Sequence, residues 1–240
     1  MNLTDLANKY CTDKGTVTGA GHGYTLVYDM LFNSLRNQPI NFLEIGLCAG
    51  GPEVDGPVNR ATERLPSVSM WREYFPQAMI YGLDISDFSD FQTNWFRFFR
   101  ADCGSRDELG AVIRTGVQFD VIIDDGSHAS YHQQTTLDVL FPALKPGGLY
   151  VIEDLDWQPT TYEAQLPKVE KTTDFLKRTS YGTLLTFSDD ALASLRKPFN
   201  KSRSLKAPIS HHVDEPTVRG YLRRLLTPSP VKLAVIQKLS

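Results

Sequence analysis

The sequence predicts an α/β protein with a doubly wound, mostly parallel sheet, and three observations lead to this prediction. Five short apolar runs, four of which end on a carboxylate, alternate with amphipathic stretches, as is typical of βα units around a parallel sheet. The length of 240 residues suits one well-filled domain. Hydrophobic residues make up 41% and charged residues 22% of the chain, so an ordinary globular core is expected.

The predicted elements follow one another regularly as far as residue 156. A helix at residues 24–36 precedes the first strand. The apolar runs expected to form buried strands lie at residues 40–45, 79–84, 96–102, 119–124 and 148–153. The helices expected between them lie at residues 68–75, 105–115 and 130–144, and the KPGG sequence at 145–148 predicts a turn before the fifth strand.

The pattern is less regular after Asp156. We expect a helix at 166–178, then a polar stretch that includes residues 202–204. A final strand is predicted at 231–239, antiparallel and at or near the sheet edge. No internal repeat or second domain is visible, so residues 1–240 are interpreted as one domain with an antiparallel last strand.

Composition and charge argue against several classes of protein. The formal net charge of −3 gives no basic surface for nucleic acid, and no segment reaches the roughly 18 apolar residues of a membrane span. The amino terminus lacks the basic and apolar regions of a secretory signal. The three cysteines, Cys11, Cys48 and Cys103, cannot all pair, which suits a reducing compartment. These features predict a cytoplasmic protein.

The first strand is followed by glycines that allow a ligand to approach the backbone. Gly46 lies at the strand end, and Gly50 and Gly51 follow within a few residues. A nicotinamide site would need the G-x-G-x-x-G pattern running into a helix, with an acid about 20 residues further on. The next strand-end acid, Asp84, lies much farther along, so a dinucleotide site fits badly.

The order of acids and glycines resembles that of the class I S-adenosylmethionine-dependent methyltransferases, which have a Rossmann-like fold. The resemblance implies that Glu44 and Gly46 flank the methionine part of the cofactor, that Asp84 binds the ribose, and that Asp102 lies by the adenine. A cationic sulfonium ligand suits carboxylates better than a glycine-rich anion site. The sequence departs from the usual pattern at Cys48, where a glycine is customary.

Two acid pairs follow neighbouring predicted strands. Asp124 and Asp125 end one strand, and Glu153 and Asp154 end the next, so up to four carboxylates would meet at one rim of the sheet. We expect these acids to face one another without a lysine or arginine between them, and their repulsion would favour a bound cation. Oxygen ligands select a hard ion, so we expect Mg²⁺.

His128 follows Asp125 by three residues and is a candidate general base. A sugar hydroxyl is a poor nucleophile at neutral pH, and a nearby imidazole could accept its proton once a metal has lowered its pKa. His128 could instead cap the helix that follows. A zinc pair with His132 is the third alternative, but HASYH lacks the glutamate of the metalloprotease motif.

Several further motifs, in order, resemble the macrocin O-methyltransferase type of metal-dependent sugar methyltransferases, and the match covers residues 10–156. The motifs are YCTDKG at 10–15, GY at 23–24, LEIG at 43–46, MWREYFP at 70–76, IYGLDI at 80–85, DDGSH at 124–128, LFP at 140–142 and GGLYVIEDL at 147–155. The resemblance implies methyl transfer from S-adenosylmethionine to a hydroxyl of a sugar or glycoside, with Mg²⁺ on Asp125, Glu153 and Asp154 and with His128 as the base. It also implies self-association.

The N-terminal segment and the long loop after the first strand are expected to cover the site. Residues 1–38 form an N-terminal helical cover in this interpretation, and residues 47–69 are long enough for an active-site lid. Lys14 and Tyr24 either reach the cofactor or are an ordinary amine and a half-buried ring. Two pairs of basic residues near the carboxyl terminus are predicted to lie at the surface or an interface. They are His211 with His212 and Arg223 with Arg224.

Two other functions share the predicted scaffold. One is a hydroxylase-like relative that uses a metal and a cofactor for other chemistry, and the other is a non-catalytic cofactor-binding protein. A catechol-type methyltransferase also has an acidic metal site, but DDGSH together with EDL favours the sugar enzymes. Detection of methylated product together with S-adenosylhomocysteine would separate these alternatives.

Overall fold

A computed structural model describes residues 1–18, 21–201 and 229–239 of the chain and confirms the predicted fold class. Seven strands of the described residues form one sheet in the order β3-β2-β1-β4-β5-β7-β6. Their bounds are Asn41–Ile45 (β1), Met79–Asp84 (β2), Phe96–Arg100 (β3), Phe119–Asp124 (β4), Leu144–Ile152 (β5), Thr183–Ser188 (β6) and Val231–Gln237 (β7). The first five strands are parallel, and β7 runs antiparallel to both β5 and β6.

Helices lie on both faces of the sheet. Their bounds are Leu3–Tyr10 (α1), Tyr24–Phe32 (α2), Pro66–Tyr74 (α3), Arg106–Arg114 (α4), Ser130–Leu140 (α5), Thr160–Glu163 (α6), Thr172–Arg178 (α7) and Asp189–Lys201 (α8). Side chains cap the first turns of α1 and α4, where Asn2 and Ser105 accept backbone hydrogen bonds. No helix of the described residues is both long and apolar enough to cross a membrane.

Alternation of side chains along the strands divides the core into two clusters. Phe42 of β1 packs with the cluster under α1, α2 and α3, while its neighbour Leu43 packs with the cluster under α4 and α5. The first cluster is rich in aromatic rings, and the Trp71 and Phe42 ring centroids are 4.7 Å apart. The two N-terminal helices are therefore part of the main core.

The differences from the predicted elements concentrate at the two ends of the chain. Helix α1 lies within the helical cover predicted for residues 1–38, but its bounds were not predicted, although Asn2 and the spacing of Leu3, Leu6 and Ala7 carry its signal. Strand β6 was also missed, and it places β7 one position inside the sheet edge. The helix expected at 166–178 begins only at Thr172.

Proline explains one of the shifted boundaries. Pro142 lies inside the helix that was expected at 130–144 and has no N–H to continue it, so α5 ends four residues earlier than predicted. The predicted polar stretch at 202–204, together with His211, His212, Arg223 and Arg224, lies outside the described residues.

Candidate active site

A pocket of about 520 Å³ opens beyond the carboxyl ends of the central strands. Strands β1 and β4 are neighbours there. From this pair the strands follow in the order β1, β2, β3 on one side, and β4 is followed by β5 on the other. Such a switch point is the usual ligand site of an open parallel sheet. The volume lies within the range of small-molecule sites, which is about 300 to 1,000 Å³.

Gly46 brings the loops after β1 and β4 together at this switch point. Its φ of 83° lies in the left-handed region, and a Cβ there would overlap the backbone carbonyl of Asp125. Glycine is therefore required for the close approach of the two loops. Gly46 lines the pocket as expected for a cofactor contact.

Asp84 lies at the carboxyl end of β2 and is nearly buried. Its Oδ2 accepts a 2.8 Å hydrogen bond from Leu47 N, and its Oδ1 accepts one of 2.8 Å from Ser86 N. The guanidinium of Arg60 also donates to Oδ1. Burial raises the pKa of Asp84, whereas these hydrogen bonds and the charge of Arg60 oppose the rise. The carboxylate is thus fixed in the pocket wall.

Asp102 also lines the pocket, and it lies beside His132, which was predicted only as a possible zinc ligand. His132 Nδ1 lies 2.7 Å from Ser127 Oγ, and its Nε2 lies 3.9 Å from Asp102 Oδ1. Burial lowers the pKa of His132, and the Asp102 carboxylate opposes that shift. The Tyr162 ring packs against His132 with a centroid distance of 5.7 Å. His132 thus faces Ser127 and Asp102, and it does not belong to the group of described residues that could hold a metal ion.

Glu44 occupies a different place from the one expected. Its carboxylate is fully buried, accepts a 2.8 Å hydrogen bond from Ser67 Oγ, and does not line the pocket. Burial raises its pKa to about 7, which the nearby ammonium of Lys14 opposes. Glu44 therefore supports the pocket from beneath.

Lys14 lies among the strand-end acids, which corrects the expectation that no cation separates them. Its Nζ lies 3.0 Å from both carboxylate oxygens of Glu153, 3.8 Å from Glu44 Oε1, and in direct contact with Asp125. Only 2% of the side chain is exposed. Burial alone would lower the pKa of Lys14, but Asp125, Glu153 and Glu44 hold it well above its usual value.

Glu153 is held by Lys14 and by Tyr28, which was not among the predicted site residues. Tyr28 donates a 2.6 Å hydrogen bond to Glu153 Oε1, so both carboxylate oxygens are already occupied. Burial and the charge of Asp125 raise the pKa of Glu153 well above its usual value, while Lys14 and Tyr28 oppose the rise. Glu153 is thus engaged by Lys14 and Tyr28, and it neither lines the pocket nor belongs to the described residues that could hold a metal ion.

Asp125, His128 and Asp154 form the group that could hold a metal ion. One ligand atom from each lies within 4.8 Å of the others. His128 and Asp154 have φ values of 59° and 51°, a costly backbone conformation that functional sites tolerate. The Nδ1 atom of His128 is buried without a hydrogen-bond partner among the described residues. The two carboxylates of this group fit a hard divalent cation, and the imidazole lies beside them.

Two of the remaining predicted residues lie near this group without joining it. Tyr24 is buried and donates a 2.6 Å hydrogen bond to Asp154 Oδ1, so its hydroxyl orients an acid instead of lining the cofactor pocket. Asp124 faces the opposite side of the sheet, where it accepts a hydrogen bond from Thr136, and burial raises its pKa to about 6. Of the four expected carboxylates, Asp125 and Asp154 therefore line the pocket.

The segment expected to form a lid is anchored to the ends of β2 and β3. Besides the ion pair between Arg60 and Asp84, Arg60 N donates a 2.7 Å hydrogen bond to Ser86 Oγ. Arg100 donates to Asn59 Oδ1 over 3.2 Å. Helix α3 begins at Pro66, so residues 66–69 of the expected lid are its first turn.

We expect Arg60→Gln to expose this segment to protease. Loss of a charged hydrogen bond costs about 1.5 to 3 kcal/mol, so local opening should increase about tenfold or more. Digestion with a glutamate-specific protease, which cuts after Glu53 and Glu63, measures the opening. Arg64→Gln removes an exposed arginine of the same segment and should cleave like the unmodified protein. Equal rates for both variants would show that Arg60 does not anchor the segment.

No protein-family model matches the chain. The chain is 40% identical over 157 residues to mycinamicin VI 2''-O-methyltransferase of Micromonospora griseorubida, covering 64% of this chain and 36% of that protein. It is 36% identical over 195 residues to a tetracenomycin-C 3'-O-methyltransferase of Streptomyces olivaceus that acts on the 2-methoxy-rhamnosyl compound, covering 79% and 45%. Demethylmacrocin O-methyltransferase of Streptomyces fradiae is 40% identical over 160 residues, covering 64% and 36%. The chain therefore spans less than half the length of these relatives.

A solved structure has the same architecture. The MycE methyltransferase of the mycinamycin biosynthetic pathway, in complex with Mg, SAH and mycinamycin VI, superposes with a TM-score of 0.61 and 28% identity. The superposition covers 100% of this chain and 55% of that one.

Proposed function

We propose that this chain, which has the class I methyltransferase fold and is a homologue of the mycinamicin- and macrocin-type O-methyltransferases, transfers a methyl group from S-adenosylmethionine to a hydroxyl of a sugar or glycoside with the help of Mg²⁺. One observation carries the proposal. The Asp84 carboxylate and the group of Asp125, His128 and Asp154 line a single pocket. A diol-binding acid and an ion-binding group at one strand-end rim suit a methyl donor and a hydroxyl acceptor placed side by side.

The residues divide into two roles in this proposal. Gly46, Asp84 and Asp102 bind the cofactor, and Asp125 and Asp154 bind the divalent ion directly. Glu153 supports Asp125 through Lys14, because it is not among the described residues whose ligand atoms converge on one point. A divalent ion held there would supply positive charge that lowers the pKa of the acceptor's hydroxyl. His128 accepts the acceptor's proton, since its ring lies beside both acids.

We also propose how the chain is organised around this site. Residues 1–240 act as one methyltransferase domain in which residues 1–38 form the helical cover. That cover delivers Lys14 and Tyr24 to the acids. Residues 47–65 serve as the lid over the cofactor side. Self-association remains a prediction from the sequence.

The direct test is an acceptor screen. The protein is incubated with methyl-labelled S-adenosylmethionine and simple glycosides, with and without Mg²⁺, and labelled glycoside and S-adenosylhomocysteine are measured together. Transfer that needs both the glycoside and Mg²⁺ is expected. Cofactor consumption with an oxidised product and no methylated one would instead indicate a hydroxylase-like relative.

Cofactor binding should depend on Asp84 and not on the metal. We expect Asp84→Ala to weaken binding of S-adenosylhomocysteine by about 1 to 3 kcal/mol, the cost of losing a charged hydrogen-bond partner. Isothermal titration calorimetry in the presence of chelator measures this loss. Asp87→Ala removes an exposed acid three residues further on and should bind like the unmodified protein. Unchanged affinity in Asp84→Ala would place the ribose site elsewhere.

A further inference from the structure

An aromatic side chain stands exposed at the rim of the pocket, next to the candidate base. Trp157 is 44% exposed, although it is one of the largest apolar side chains, and it lines the pocket. Its ring lies 5.4 Å from the His128 ring, centroid to centroid, at an interplanar angle of 75°. The exposed indole is therefore adjacent to the atoms expected to act on the acceptor.

The backbone fixes this ring relative to the ion-binding acids. Trp157 N donates a 3.1 Å hydrogen bond to the carbonyl of Asp154, which closes a turn that begins at the candidate metal ligand. Leu155 within the turn is buried, and its N–H donates to Lys232 O of β7 over 3.0 Å. Gln158 Nε2 donates to Leu155 O over 2.9 Å. The indole is thus held on a hydrogen-bonded turn instead of a free loop.

An exposed aromatic face beside polar groups suits one kind of ligand. Apolar surface left in water is unfavourable, and burying it is a source of binding free energy. A pyranose ring has an apolar face of C–H bonds and a polar edge of hydroxyls, so it can cover an indole while its edge meets carboxylates. Here the neighbouring groups are His128 and Asp154, which are the groups that a reacting hydroxyl must reach.

We propose that Trp157 is the platform on which the acceptor's sugar ring stacks, with its reacting hydroxyl directed to the group of Asp125, His128 and Asp154. This inference rests on the proposed function and adds the acceptor subsite to it. Trp157 contacts the acceptor's sugar ring and contributes to its binding, but it takes no part in proton or methyl transfer.

Saturation-transfer NMR tests the platform without requiring turnover. The probe is methyl α-L-rhamnopyranoside, added to the protein with S-adenosylhomocysteine and Mg²⁺. Transfer to the ring C–H protons is expected for the unmodified protein and for Trp157→Phe, which keeps an aromatic face. Trp157→Gln should lose the transfer. No transfer to the unmodified protein, or equal transfer to Trp157→Gln, overturns the proposal. So does transfer to catechol but not to the glycoside.

Kinetics provide the second readout and separate this inference from the proposed function. For a glycoside that is methylated, Trp157→Gln should raise KM about tenfold to a hundredfold while kcat stays within about threefold, because stacking contributes to ground-state binding. Affinity for S-adenosylhomocysteine, measured by calorimetry, should not change and reports folding. A fall in kcat with unchanged KM overturns the stacking role. If no glycoside is methylated, the proposed function fails, whereas the NMR result still decides the platform.

Discussion

Replacing Lys14 with methionine is expected to lower the free energy of unfolding by about 3 to 5 kcal/mol, since removal of one partner from a buried ion pair leaves the other uncompensated. The lysine contacts Asp125 and Glu153 and lies 3.8 Å from Glu44, with only 2% of its side chain exposed. Methionine has a similar length, so the change is chiefly one of charge. Chemical denaturation in the presence of chelator measures the loss.

A control variant and the effect of Mg²⁺ on stability test this interpretation of Lys14. Lys9→Met removes a lysine whose ion pair with Glu73 is exposed, and such pairs contribute little. Mg²⁺ should restore more stability to Lys14→Met than it adds to the unmodified protein, because the ion then takes over part of the lysine's charge. Equal stability of the two lysine variants would show that Lys14 is not the counterion of the acids.

The fold and the position of the site could be predicted because they depend on local patterns. Apolar runs ending in acids locate the strands, and parallel strands bring their carboxyl ends to one rim. Asp84, Asp102, Asp125, His128 and Asp154 therefore line the pocket as expected. The weak periodicity after residue 156 gave no such signal, which is why β6 was missed.

The partners of the acids could not be predicted, because they come from distant parts of the chain. Lys14 is 111 residues from Asp125, and Arg60 lies in the segment between two strands. The spacing of Tyr24, Tyr28 and Phe32 in α2 indicates a buried helix face. It does not reveal that the hydroxyls of Tyr24 and Tyr28 reach Asp154 and Glu153, since that depends on how α2 docks on the sheet.

Lys14 also gives a physical reason for the expected consequence of metal removal. Because an ammonium already compensates part of the negative charge, the fold should survive chelation. Methyl transfer should stop, since a free sugar hydroxyl is hard to deprotonate, and Mg²⁺ should restore it. Circular dichroism measures the fold of a chelated sample, calorimetry measures its cofactor binding, which should also survive, and the transfer assay measures its activity. Methyl transfer that continues in chelator would remove the ion from the mechanism.

His128→Ala should lower turnover by a factor of about 10² to 10⁴, the usual contribution of a positioned general base. It should leave Mg²⁺ affinity nearly unchanged, because this ion prefers the oxygens of Asp125 and Asp154. Asp125→Asn is the matched comparison and should instead raise the Mg²⁺ concentration needed for activity. Raising the pH should restore part of the His128→Ala rate, since hydroxide can replace the imidazole. If His128→Ala loses Mg²⁺ affinity as Asp125→Asn does, the histidine is a metal ligand and another group accepts the proton.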